Sequence, residues 1–385
     1  MGGRFRDEGL RRLDTVLHRH VDAGHVPGLV WLLDRGGEVH VGAAGVDALG
    51  SDRPVDRRTL FRISSMTKPI TAVATLMCVE DCLIRLDEPV DRLLPELADR
   101  RVLEHPDAPL SWTVPAERPI TARDLLTFTF GLGVVMAPPG TMPIADAMAE
   151  LELGQGPPDP LGPPDPDEWV RRLGTLPLLH QPGDGWMYNT GSDVLGVMVA
   201  RASGRPFEQF LAERIFEPLG MVDTAFHVPD ERRHRLATAY WTDPGDGSLS
   251  LMDRHDERWS RPPAFPSGAG GLVSTVDDYR AFARMLLDGG DSPAGRLLPG
   301  ASVEVMVTDQ LTALQAVLSA ENVATATLVK ATPSLTQPEL RATAMSIAGA
   351  DARQIALLHG ELDMVQVPTP FFRTADAAPK LALVE

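Results

Sequence analysis

At 385 residues the chain exceeds what one small core organises, so two lobes or domains are expected. Its 43% hydrophobic fraction is that of a folded globular protein and excludes a disordered one. With 36 Lys and Arg against 53 Asp and Glu, the net charge of -17 argues against a nucleic-acid backbone or an anionic membrane surface as partner.

In chain order, residues 4–23 read as a surface helix, with Leu10, Leu13, Val16, Leu17 and Val21 on one stripe. The opening residues Met1 to Glu8 hold no apolar run, so no secretory signal is expected. Nor does any stretch of about 18 uninterrupted apolar residues predict a transmembrane helix. Two strand-like runs follow, 28–33 and 39–43, joined by Asp34-Arg35-Gly36-Gly37, which suits a hairpin turn.

Leu60-Phe61-Arg62-Ile63 leads into Ser65-Met66-Thr67-Lys68. From Met66 a helix is expected, because Ile70, Val73, Ala74 and Met77 keep helical spacing. Ala72, Leu76 and Val79 fill the intervening positions, so this helix should be buried all round. Pro69 has no N–H to give and must fall in the first turn. Ser65 therefore sits at the helix start, with Lys68 one turn on and on the same face. The only two cysteines, Cys78 and Cys82, lie in this helical pattern. They exclude a disulfide framework and point to a reducing, cytoplasmic setting; with no His or Cys nearby in sequence, no metal site is expected there.

Further helical segments are expected to open at Leu86-Asp87-Glu88-Pro89-Val90 and over 120–126. Residues 137–168 are rich in Pro and Gly, with a short helix possible around Ile144, Ala147, Met148 and Leu151. A loop of this length is usually functional, and its position between the motifs makes it a candidate wall of the active-site groove. Helices are expected over 194–202, 207–216 and 275–287, the last with a polar cap and an acidic first turn. Near Thr312 the composition shifts to an Ala-rich segment without Trp or Tyr, with helical patterns over about 314–330 and 338–359.

The chemistry gathers at Lys68. Only Lys330 and Lys380 join it in the whole chain, so arginine supplies nearly all the positive charge. Arginine stays protonated, whereas a desolvated lysine can lose its proton and act as a base. A serine one helical turn away is what an activated nucleophile needs. The plainer reading makes Ser65 a helix cap and Lys68 a surface charge. Farther on, Tyr188 is one of only three tyrosines and stands just before a helical pattern in Trp186-Met187-Tyr188-Asn189-Thr190.

These segments, in order, resemble the serine β-lactamase and penicillin-recognising family, most closely its carboxylesterase branch. The matching stretches run from Phe61 to Lys68, Leu86 to Val90, Ile120 to Leu126, Pro182 to Tyr188, Asp193 to Gly196, and Ser267 to Thr275. The resemblance covers about residues 8–312. It implies an α+β fold: an antiparallel sheet flanked by helices, an inserted mostly helical lobe at about 84–230, and the site in the groove between them. It makes Ser65 the acylated nucleophile, Lys68 its base and Tyr188 the second proton carrier. Trp186 and Asn189 beside Tyr188 are expected to contact the substrate, a small-molecule ester, and no cofactor or metal is expected. The Ser65 N–H at the helix start would be one oxyanion donor.

Two departures shape the reading. Lactamase members usually carry Asn two positions after the tyrosine; here that position is Thr190, which favours ester over amide hydrolysis. The late Lys-Thr-Gly-like or Trp-Gly-Gly-like triplet is missing, and Lys330-Ala331-Thr332-Pro333 and His359-Gly360 are poor substitutes. Losing the oxyanion donor of that strand typically costs on the order of 100- to 1000-fold in turnover. The alternatives to an active esterase are therefore a β-lactamase-like amide hydrolase and a catalytically impaired binding relative.

The hydrolase domain is expected to end near 312 without its closing strands. Residues 313–385 weakly resemble ferritin-like helices, though the Glu-x-x-His pair of that family would fall at Asp351 and Gln354. They read as a fused fragment or a reading-frame accident. Metal-dependent hydrolysis has no His-Glu-x-x-His to support it, and an α/β-hydrolase has no Gly-x-Ser-x-Gly elbow.

Overall fold

The structure is a computed structural model describing residues 4–154 and 156–308. They divide into two compact units, one holding the described residues up to Tyr240 together with Leu251–Gly300, the other Trp241–Ser250 and residues 301–308. Every residue of the site described below belongs to the first unit.

Helix α1 (Asp7–Asp22) has acidic residues in its first turn and Arg19 and His20 in its last, as the helix dipole favours. Its predicted stripe is only half-buried, and Val16 is exposed. The helix lies against the hairpin of β1 (Gly28–Arg35) and β2 (Glu38–Gly45). There Asp14 accepts hydrogen bonds from Trp31 Nε1 at 3.0 Å and His40 Nε2 at 2.9 Å. The hairpin pairs from Gly28 opposite Gly45 to Arg35 opposite Glu38. The turn is tighter than expected, only Gly36-Gly37, because both residues take positive φ (60° and 90°) as a two-residue hairpin loop requires.

After β3 (Phe61–Arg62) the chain enters α2 (Thr67–Glu80). Ile70, Val73, Ala74, Leu76, Met77 and Cys78 are all buried, as the spacing predicts. Pro69 is the third residue of the helix, inside the first turn. Then come β4 (Arg101–Leu103), β5 (Thr113–Pro115), α3 (Ala122–Leu126), α4 (Pro143–Glu150), α5 (Pro166–Gly174) and α6 (Thr190–Ser203). The predicted helical segment after Leu86 is no more than a 3-10 turn, Val90–Arg92. In α3, Thr121 and Asp124 close a capping box. Helix α6 is buried along Val194, Leu195, Val197, Met198 and Val199, packs on α2 and stops at Gly204 with φ 66°, the left-handed end that glycine tolerates.

The helix expected over 207–216 begins as α7 (Phe207–Leu211), widens into a π-turn at Ala212–Phe216 and ends as α8 (Glu217–Leu219). There follow β6 (Ala239–Thr242), β7 (Leu249–Asp253), β8 (Val273–Ser274), α9 (Val276–Leu287), β9 (Asp291–Ser292), β10 (Gly295–Arg296) and α10 (Gly300–Thr308).

The α+β class holds, but the expected single sheet is divided. Among the described residues there are five two-stranded pieces: β1–β2, β3–β8, β4–β5, β6–β7 and β9–β10. The β3–β8 pair shows the reason. It is two residues long because β3 runs into a tight turn at Ile63, and Thr275 caps α9 directly after β8. The 313–385 segment, with Lys330, Asp351, Gln354 and His359, lies outside the described residues.

Candidate active site

Ser65 stands in a 3-10 turn, Ser64–Met66, that leads into α2. The turn is anchored from behind by Arg62. Its guanidinium is paired with the fully buried Asp253, donates to the Ala237 carbonyl at 2.6 Å and lies 5.0 Å from the Trp259 ring. Ser64 takes φ 44°, a left-handed conformation costly for a side chain with a Cβ. The capping reading of Ser65 does not hold: Met66 occupies the N-cap, without a side-chain bond, and Ser65 Oγ is engaged elsewhere.

That oxygen has two partners. Lys68 Nζ reaches it at 3.1 Å and the Tyr188 hydroxyl at 2.7 Å. Lys68 is not a surface charge, since only 9% of it is exposed. Its Nζ also donates to the Ala269 carbonyl at 2.7 Å and lies 4.4 Å from the centre of the Tyr188 ring. Burial pulls the Lys68 pKa below its ordinary value, partly opposed by Tyr188 and Asp193.

Tyr188 is delivered from far along the chain by a segment tied to residues 128–134. The Met187 N–H donates to the Phe128 carbonyl at 2.7 Å, and the Val134 N–H to the Tyr188 carbonyl at 2.9 Å. A Cβ on Gly133 would sit 2.6 Å from that Tyr188 carbonyl, so this approach needs glycine. Asn189 has φ 82° and ψ -67°, and the Thr190 N–H bonds back to the Tyr188 carbonyl at 3.2 Å. This is a γ-turn, a rare and strained link, and it aims Tyr188 at Ser65 just before α6 begins.

Sequence reasoning missed the third support. Asp193, in the first turn of α6, is buried and accepts from Ser267 Oγ at 2.7 Å and from the Ala269 N–H at 3.0 Å. Burial pushes its pKa up, opposed by Ser267, Ala269 and Lys68 in turn. One residue thus faces both groups: the Ala269 N–H binds Asp193 and the Ala269 carbonyl binds Lys68. Thr71 donates to the Gly268 carbonyl at 2.7 Å and holds the same loop against α2. Asp193 is an acid in an otherwise apolar helical run, which was the available signal; a backbone carbonyl such as that of Ala269 has no side-chain signature.

Ser65, Tyr188, Asn189 and Asp193 border a cavity of about 760 Å³. The Pro- and Gly-rich segment contributes another part of the lining, including Pro158 and Pro160. Trp186 lies outside the lining; it stacks on the Tyr188 ring at 5.8 Å and meets Phe128 edge-on at 6.1 Å. Among the described residues, no group of three or more His, Cys, Asp or Glu side chains is placed to hold a metal ion. No helix there is long and apolar enough to cross a membrane.

The family model described as Beta-lactamase matches residues 13–319. An uncharacterized protein of Mycobacterium tuberculosis is 41% identical over 295 residues, covering 76% of this chain and 70% of the relative. Esterase EstB of Burkholderia gladioli is 32% identical over 280 residues, covering 69% and 67%. Among solved structures, EstCE1, a hydrolase with promiscuous acyltransferase activity, aligns with a TM-score of 0.64 at 27% identity, covering 78% of this chain and 76% of that one.

Proposed function

The chain belongs to the beta-lactamase family, and we propose that it is a serine hydrolase that cleaves small acyl esters through a covalent acyl-enzyme on Ser65. The observation that carries the reading is the convergence of two proton-carrying side chains on one oxygen, Lys68 at 3.1 Å and Tyr188 at 2.7 Å from Ser65 Oγ.

In this reading neutral Lys68 takes the Ser65 proton as Oγ attacks the ester carbonyl. The Ala269 carbonyl holds one Lys68 N–H, leaving the lone pair free to face Ser65. The Ser65 N–H, at the start of α2, is one donor to the developing oxyanion. As the intermediate collapses, Tyr188 gives its proton to the departing alkoxide and recovers one from Lys68. Water, or a second alcohol, then attacks the acyl-enzyme by the same steps in reverse, so hydrolysis and acyl transfer share one intermediate. Asn189 and the cavity wall contact the substrate; Trp186 supports Tyr188 from outside.

The test is turnover of p-nitrophenyl butyrate together with intact-mass detection of an acyl adduct. Wild type should turn over and carry the adduct on Ser65, and Ser65→Ala should do neither. Undiminished turnover in Ser65→Ala would overturn the assignment.

A further inference from the structure

The cavity beside Ser65 has a wall rich in proline. Pro157, Pro158, Pro160, Pro163 and Pro263 contribute to it, and a proline has no N–H to offer. Behind them Trp169 and Phe265 pack at 4.8 Å between ring centres; both are buried, and both face the cavity. Leu153 and Val134 add further apolar surface.

The wall is also held close. A Cβ on Gly270 would come within 2.6 Å of Pro158 Cγ, and within 3.7 Å of the Ser64 carbonyl carbon. The proline segment therefore presses on the loop beside the Ser65 turn, and the cavity's width is set by rigid rings. Among the described residues, no lysine, arginine or histidine lines the cavity. Glu152 and Asp159 do line it, and each is paired with an arginine that does not: Arg172 at 2.8 Å and Arg258 at 3.6 Å. An anionic substituent entering here would lose its water and meet, among the described residues, only cations that already have partners, a costly transfer. A volume of about 760 Å³ is also far more than an acetyl or butyryl group fills.

We propose that the ester acted on here carries, on one side of its carbonyl, a bulky, apolar, uncharged ring-sized group seated against the proline wall, and that carboxylate-bearing analogues are excluded. This rests on the ester-hydrolase reading above and names the substrate class for it.

The test uses esters with only one large side, followed by pH-stat titration. Methyl cyclohexanecarboxylate is compared with methyl acetate for a bulky acyl side, and cyclohexylmethyl acetate with ethyl acetate for a bulky alcohol side. The monomethyl ester of cyclohexane-1,4-dicarboxylic acid supplies the charged analogue. One bulky ester should exceed its small counterpart in kcat/KM by more than about tenfold, since apolar pockets discriminate on that scale per methylene. The charged analogue should fall to the small-ester value or below. Val134→Trp, which fills the cavity, should lower the bulky-to-small ratio by about tenfold or more.

Equal kcat/KM for bulky and small esters in both arms overturns the proposal, as does, where the acyl arm is the one preferred, a charged analogue that matches the neutral one. In either case the hydrolase reading stands if these esters turn over and a fluorophosphonate labels Ser65. Without turnover or labelling the hydrolase reading fails, and calorimetric binding to Ser65→Ala protein still decides the cavity's preference. Tighter binding of cyclohexanecarboxamide than of cyclohexanecarboxylate supports it, and the reverse order overturns it.

Discussion

Lys68 Nζ lies 2.7 Å from the Ala269 carbonyl, nearer than the 3.1 Å that separates it from Ser65 Oγ. The lysine is thus held by a loop 201 residues away while it faces Ser65. In the proposed mechanism that arrangement makes its protonation state, rather than its position, the variable on which turnover depends.

Replacing Lys68 by arginine keeps the charge and removes the base, because guanidinium does not deprotonate. Lys68→Arg should lower kcat for ester hydrolysis by roughly 100- to 10000-fold, the usual range for a lost general base. Steady-state rates with the adduct followed by mass are the check. Wild-type activity in this variant would remove Lys68 from the base role.

The pH dependence has a definite sign. Burial lowers the Lys68 pKa, so the neutral form becomes available below the ordinary lysine value of 10.5. The kcat/KM profile should rise with pH through a midpoint below 10.5 and then level off. Asp193 opposes that shift by favouring the ammonium. Asp193→Asn should therefore move the rising limb to lower pH, and a limb that stays put or moves up would contradict the electrostatic link.

The same substitution bears on stability. Burial raises the Asp193 pKa above its ordinary value of 3.8. A raised folded-state pKa favours the folded state fully below 3.8 and loses that contribution as pH climbs through the folded value. Asp193→Asn removes this dependence. The Tm difference, variant minus wild type, should grow more positive from about pH 4 to pH 8, as read by thermal scans.

Thr71 binds the Gly268 carbonyl from inside the protein at 2.7 Å. Thr71→Val keeps the shape and leaves that buried carbonyl unpaired, so unfolding free energy should fall by about 1–3 kcal/mol in urea titration. Because Gly268 precedes Ala269, kcat should drop as well. A change below about 0.5 kcal/mol would show the bond to be dispensable.

The two thiols should part company in labelling. Cys78 is buried, and desolvation pushes its pKa up to about 12, while Cys82 is exposed. Native protein should release one equivalent of thionitrobenzoate from Ellman's reagent, and unfolded protein two. Two fast equivalents in the native state would mean that α2 opens around Cys78.

Helices were legible in several segments whose apolar residues repeat at helical spacing, though α5, which buries Trp169, Val170 and Leu173, was not expected. Ile70, Val73, Ala74 and Met77 predict α2 and its burial, and Thr275 with its acidic turn predicts the start of α9. The sheet was less legible, because whether a short run such as Phe61-Arg62 pairs depends on a partner about 210 residues away, which no local pattern names. The π-turn at Ala212–Phe216 and the strained Ser64 and Asn189 leave no compositional trace. They are settled by what packs around them.

By itself, the sequence determined that Ser65 stands one turn ahead of Lys68 at the entry to a buried helix, since a spacing of three is a local consequence of helical rise and rotation; the structure puts Ser65 in the 3-10 turn that precedes that helix. It also marked Tyr188, through rarity and resemblance. Only the tertiary structure decided that Tyr188 meets Ser65 across 123 residues, that Asp193 and Lys68 hold the N–H and the carbonyl of Ala269, and that a row of prolines walls the cavity. Those are long-range contacts between groups whose identity says nothing of their partners. They form only when the whole core closes.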